Sequence, residues 1–308
     1  MDSPALPAIA RTLWEHNRAW AATARTIKAS LDRWRSWTLI LAIAGATFST
    51  LGEQLKNSHP NPQWQSLLHA IAVAASLGGA AAIALASYFA REALGGDRVQ
   101  NWTKARSAAE ASKAALYLYR ASVVPYDGED RDKKLLDRRD AIETSVEGLE
   151  LVASNPGTPD LSPLTVSDYI AKRLEAQIKY YHDTAGEYQK RVDNLRTVTF
   201  WLGVVGVLLG VGAAAGPLGS WVAVVGTVTA AVSSYIQTQR YQGLIVLYRA
   251  TERRLEFLKD EWQTTGKTEA DKPARNSFIQ SCEDAMALEN GAWLAQWSQQ
   301  KQPQGAHP

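Results

Sequence analysis

The sequence predicts an all-α integral membrane protein, with four transmembrane helices in two hairpins and long helical cytoplasmic extensions forming a coiled-coil-like bundle. Three observations predict it. Charge is distributed unevenly along the 308 residues, apolar residues recur at seven-residue intervals beside the uncharged runs, and nearly all basic residues fall on one side of those runs.

The average composition is that of a soluble protein: 21% charged and 46% hydrophobic, with 33 basic residues against 31 acidic. That balance gives no global attraction to nucleic acid. A single cysteine excludes a disulfide framework and a cysteine-rich zinc site. The average conceals three runs without Asp, Glu, Lys or Arg: residues 36–52, 57–90 and 197–239, of 17, 34 and 43 residues. A helix needs about 20 apolar residues to cross roughly 30 Å of hydrocarbon.

The first two runs give spans at about 36–55 and 67–90, joined by a polar turn from Asn57 to Pro62. The third is cut by Gly216-Pro217-Leu218-Gly219 into spans at about 198–215 and 220–236. Trp37, Trp64, Trp201 and Trp221 stand near the span ends, where an interfacial aromatic belt places them. Six Lys/Arg precede the first span, 17 lie between the hairpins and nine follow the fourth span; Lys56 alone falls in a hairpin loop. By the positive-inside rule, both termini and the middle segment face the cytoplasm of a multi-pass protein in a bacterial inner (plasma) membrane. The first apolar segment begins only at residue 36, so no signal peptide is expected.

An internal repeat underlies the hairpins. A shift of 161 residues carries Leu13, Trp20, Ile27 and Trp34 onto Leu174, Tyr181, Tyr188 and Leu195, and Ala24 and Leu31 onto Ala185 and Val192. This 3/4 spacing predicts a helix leading straight into the first span of each hairpin. Behind the hairpins, Trp102, Ala109 and Leu116 recur at seven, as do Tyr241, Tyr248, Leu255 and Trp262. One more helix is expected in each half, about 132–153 and 276–298. The organisation is thus a first helical unit over 1–155, a linker over 156–165, a second helical unit over 166–300 and a disordered tail over 301–308. Leading and trailing helices lie side by side, so Trp20, Ile27, Trp34, Tyr181, Tyr188, Tyr248, Leu255 and Trp262 are candidates for cytoplasmic assembly. Apolar surface left over predicts a homo-oligomer.

Catalytic signals are weak. Gly266-Lys267-Thr268 ends like a phosphate loop, but Glu261 stands where that loop needs glycine. The five histidines are scattered and Cys282 is alone, so neither enzyme activity, cofactor nor metal is expected. The uncharged spans argue against an ion-coupled transporter. They carry small and hydroxyl residues instead: Ser76, Gly78, Gly79 and Ser87 in the second, Gly206 and Gly210 as a GxxxG pair in the third, and Thr227, Thr229 and Ser233 in the fourth. Two readings stay open. Such residues allow tight helix packing, with hydroxyls bonded to their own backbone, or they line a pore with a hydrophobic gate.

The stretch Asn101-Trp102-Thr103-Lys104-Ala105-Arg106-Ser107-Ala108-Ala109-Glu110, with Tyr117-Leu118-Tyr119-Arg120 and Val124-Pro125-Tyr126 behind it, resembles the region after the hairpin in bacterial SLATT-type domains (SMODS- and SLOG-associated two-transmembrane effectors). Phe278, Glu283, Glu289 and Trp293 are similar to that family's final helix. The resemblance covers most of the chain as two tandem units, although the second lacks the Asn-Trp-Thr-Lys segment and the first lacks the late tryptophan. It implies a membrane effector of bacterial defence, triggered by a partner. The expected function is an oligomeric channel or pore-forming effector gated through its cytoplasmic helices. The alternative is a non-conducting membrane scaffold that recruits a cytosolic sensor or effector. Partners are then the lipid bilayer, further copies of the chain and a cytosolic sensor, with no nucleic acid.

Overall fold

The computed structural model describes residues 8–58, 62–155, 157–213 and 219–298. Every regular element among them is helical. In chain order these are α1 (Ala8–Asn57), α2 (Pro62–Leu94), α3 (Gly96–Arg120), α4 (Arg131–Ser145), α5 (Val166–Tyr169), a π-turn (Ile170–Leu174), α6 (Glu175–Ala213), α7 (Gly219–Gln239), α8 (Tyr241–Thr264) and α9 (Lys272–Ser298). Residues 59–61 of the first predicted hairpin turn, residues 216–218 of the second and the whole tail over 301–308 lie outside the described residues. Four helical stretches are long and apolar enough to cross a membrane.

One boundary differs from expectation. The helix expected over 132–153 stops at Ser145, and Gly148 follows with φ +78°, a left-handed conformation that glycine adopts without steric cost. Beyond it the chain is held from outside the helix, with Val152 N donating to Thr23 Oγ1 at 2.9 Å. The helices behind each hairpin are also interrupted. Gly95 separates α2 from α3, and Arg240, at φ +52°, separates α7 from α8. The leading helices α1 and α6 have no such break.

The chain forms two compact units that cut across the sequence halves. One comprises Met1–Ala29, Gly96–Glu187 and Gly243–Pro308. In it, Leu13 and Trp20 of α1 are buried among Leu116 and Tyr119 of α3 and Leu135 and Ile142 of α4. Asn17 crosses this contact and donates from Nδ2 to Ala109 O at 2.5 Å and Ser112 Oγ at 2.9 Å, which satisfies a buried amide. The second half repeats the pairing with different side chains. α6 and α8 run antiparallel, with Glu175 on Lys259 at 2.9 Å and the Tyr181 and Tyr248 rings 5.5 Å apart. α9 adds buried Ile279, Cys282 and Met286, and its Phe278 stacks on Trp262 at 5.0 Å.

The other unit comprises Ser30–Gly95 and Tyr188–Gln242. Ala72, Gly79, Ala86 and Ala93 form a buried seven-residue repeat on α2. They and their neighbours meet an equally small face of α1. A methyl added at Gly45 would come 2.6 Å from Ile83 Cγ1, at Gly52 2.8 Å from Ala72 O, and at Gly79 2.7 Å from Ser49 N. The two backbones approach too closely for any side chain there. α1 also lies antiparallel to α7, with Arg35 near Gln239 at one end and Gln54 Nε2 donating to Ser220 Oγ at the other. α6 meets α7 through Gly206 and Val225, and Tyr188 of α6 lies 5.1 Å from the Tyr241 ring.

Candidate functional site

The small and hydroxyl residues singled out in the sequence do not converge on one surface. Ser76 and Gly79 face α1 inside the α1–α2 contact. Gly78 looks outward into open space, as does Gly210 on α6, whereas a methyl at Gly206 would reach Val225 Cγ1 at 3.4 Å, an ordinary contact. Ser87 and Thr227 are exposed, and Thr229 and Ser233 are half-buried. Four hydroxyls are turned back on their own helices. Ser76 donates to Ala72 O (2.9 Å), Ser87 to Ile83 O (3.0 Å), Thr227 to Ala223 O (2.9 Å) and Thr229 to Val225 O (2.8 Å). Bonded in this way, a hydroxyl keeps acceptor capacity but offers no proton to a passing ion or water.

Most of the cytoplasmic-assembly candidates pack within their own unit. Trp20, Tyr181, Tyr188, Tyr248 and Leu255 are buried, and Ile27, Trp34 and Trp262 are half-buried. Trp34 covers Phe89 at 4.9 Å.

Two arrangements of charge were not singled out by sequence reasoning. The first is in the unit built from Ser30–Gly95 and Tyr188–Gln242, where α1, α2 and α7 enclose a half-open cavity of about 270 Å³. α1 contributes Arg35, Thr38, Leu39 and Ala42; α2 contributes Ala90 and Ala93; and α7 contributes Ala231, Ser234, Tyr235 and Thr238. Arg35 is only 6% exposed. Its Nη1 donates to Gln239 Oε1 at 3.4 Å and stands 3.9 Å from Asp32 Oδ1. Burial pulls this guanidinium below its ordinary pKa and the Asp32 carboxylate works against that, but arginine remains cationic in any case. The sequence signal was its place, immediately before an uncharged run.

The second lies in the other unit and is built on the π-turn. Tyr169 and Arg173, four residues apart, both reach Glu283 of α9. Arg173 donates from Nε to Oε1 at 3.0 Å and from Nη2 to Oε2 at 2.9 Å, and the Tyr169 hydroxyl donates to Oε1 at 2.9 Å. The Arg173 guanidinium also lies 4.9 Å over the Tyr117 ring. With its amide oxygen turned toward them, Gln177 accepts from Lys113 Nζ and Arg173 Nη1 at 3.2 Å. Burial opposes the Arg173 charge, yet the Glu283 carboxylate and its hydrogen bonds together lift Arg173 above its ordinary pKa. Burial and the Glu283 charge raise the Tyr169 hydroxyl well above its usual value, and burial beside Arg173 lowers Lys113. A pair this deep is stable only when nearly every donor and acceptor is met. Glu283 was visible beforehand only through the family resemblance; its partner Arg173 looked like one more helical charge.

Two family descriptions match separate parts of the chain. Residues 169–293 match SLATT_1, described as SMODS and SLOG-associating 2TM effector domain 1. Residues 18–134 match DUF4231, described as a protein of unknown function. The motif over 101–126 therefore falls in the second match, while Phe278, Glu283, Glu289 and Trp293 fall in the first. Comparison with curated proteins and with solved structures returned no match. The first match begins at Tyr169 and runs through α6, α7, α8 and most of α9, so this part of the chain is similar to SLATT-type two-transmembrane effector domains.

Proposed function

We propose that the protein is a non-enzymatic membrane effector that assembles with further copies of itself into a channel or pore. In this reading it crosses a bacterial inner membrane four times with both termini in the cytoplasm, and the cytoplasmic helices pair, coiled-coil-like, to gate it in response to a cytosolic sensor. The observation that carries the reading is the bare apolar surface of α6. No residue of its most apolar stretch is buried, and Leu208 and Val211 are 66% and 72% exposed. In water that surface is costly at about 25 cal/mol per Å²; lipid or another copy removes the cost. Gly210 on the same helix faces open space, as a helix–helix contact between copies requires. Trp37, Trp64 and Trp201 are exposed near the span ends, in keeping with an interfacial belt.

Ion flux into liposomes bearing the purified chain tests this. Gly78→Leu adds bulk where the single chain has open space, so in a pore lined by α2 it lowers flux at least tenfold while assembly persists. Absence of flux from an assembled, membrane-inserted protein under every condition sinks the channel reading. The back-bonded hydroxyls of Ser76, Ser87, Thr227 and Thr229 favour a second reading. In it, the spans anchor a non-conducting scaffold and the cytoplasmic helices recruit the partner that acts.

A further inference from the structure

We propose that the cavity between α1, α2 and α7 binds an anionic phosphoryl group on Arg35, delivered by a phospholipid headgroup. The inference rests on reading the uncharged runs as membrane spans.

The cavity's position is the first argument. Arg35 immediately precedes the run 36–52, Ala90 closes the run 57–90, and Thr238 is next to last in the run 197–239. The cavity therefore lies where three spans end together on the side rich in Lys and Arg, the level at which phosphates meet hydrocarbon. Basic pockets between transmembrane helices on the cytoplasmic side are suited to anionic headgroups.

The lining is the second argument. Arg35, which is buried, shares the lining with Ser234 and Tyr235, and the apolar wall comes from Leu39, Ala42, Ala90 and Ala231. A purely aqueous anion has no use for the apolar wall, and an acyl chain alone has no use for the guanidinium. A headgroup joined to its acyl chains uses both. Guanidinium presents a planar fork of donors that matches two phosphoryl oxygens at once. Around Arg35 stand Asp32, Gln239, Tyr235, Tyr241 and Arg240.

Native mass spectrometry of the full chain in neutral detergent tests this, with phosphatidylglycerol and diacylglycerol of the same acyl chains offered in equal amounts. Phosphatidylglycerol is expected to be retained at least tenfold over diacylglycerol. Arg35→Gln removes that preference. Ala231→Leu, which fills the cavity without altering charge, removes the adduct and decides the matter if Arg35→Gln does not fold. Arg33→Gln, at an exposed neighbour, changes retention less than twofold. Displacement of the lipid by millimolar inorganic phosphate assigns the site to free phosphate, and resistance assigns it to the headgroup; both keep the phosphoryl group in place. Equal retention of the two lipids, an Arg33→Gln loss as large as that of Arg35→Gln, or undiminished binding in Ala231→Leu overturns the proposal. A chain that stays monodisperse without detergent overturns the membrane reading as well, whereas a detergent-requiring chain that prefers neither lipid overturns this proposal alone.

Discussion

Arg173 and Glu283 are joined by two parallel hydrogen bonds, of 3.0 and 2.9 Å, and neither side chain is more than 4% exposed. They bring the π-turn of 170–174 against α9 and fix both. Removing one partner leaves the other charged in an apolar interior, which costs about 3–5 kcal/mol. Glu283→Ala and Arg173→Ala are expected to lose that much each, while the double substitution loses less than the two single losses combined. Thermal unfolding of the four proteins in one detergent checks it. Additive losses would mean that the pair is not coupled as the distances imply.

The α1–α2 contact distinguishes two adjacent glycines. At Gly79 a methyl meets Ser49 and the carbonyl of Gly45, while at Gly78 it meets nothing within 4 Å. Gly79→Ala is therefore expected to destabilise by about 1–3 kcal/mol through forced separation of the helices. Gly78→Ala is neutral or slightly stabilising, since alanine is the better helix former. Unfolding midpoints of the two variants in the same detergent provide the comparison, and equal losses would refute the placement of Gly79 in the seam.

Helix type and rough extent were legible because seven-residue spacing and uncharged length are one-dimensional properties. Which small residue faces which neighbour is not. Ser76, Gly78 and Gly79 looked equivalent in a run of alanines, yet they divide between a helix contact and an open face. The α1–α2 seam was readable in part, since Gly45 and Gly52 are seven residues apart and so are Ala72, Gly79, Ala86 and Ala93; their meeting required knowledge of antiparallel register. The Arg173–Glu283 pair joins residues 110 positions apart, and nothing local marks either as buried. The early end of α4 followed from Gly148, whose positive φ is a tertiary choice that glycine permits without dictating it.

Cys282 gives a pH-dependent test of α9. Burial, with the Glu283 charge beside it, pushes its thiol far above the ordinary value near 9. The unfolded chain loses this proton above about pH 9 while the folded chain retains it. The unfolded state then binds fewer protons, so this group's contribution to stability falls as pH rises past 9. In Cys282→Ala that component of the slope is absent, and the two stability curves approach one another with rising pH. A thiol reagent at pH 8 is expected to label native protein at least tenfold more slowly than unfolded protein, because the side chain is buried and largely protonated. Rapid native labelling would show that α9 is not docked as described.

Arg240 occupies left-handed backbone, φ +52°, at the junction of α7 and α8, and its N–H donates to Gln237 O at 3.2 Å. A side chain with a Cβ costs roughly 1–2 kcal/mol in that conformation, and glycine avoids the cost. Comparing Arg240→Gly with Arg240→Ala removes the same guanidinium twice and isolates the backbone. If the junction is left-handed, Arg240→Gly is the more stable of the two by about 1 kcal/mol. In an uninterrupted helix the order reverses by a similar amount, because glycine is there the poorer former. The sign of the difference between the two unfolding free energies, measured in one detergent, therefore reports whether α7 and α8 are two helices or one.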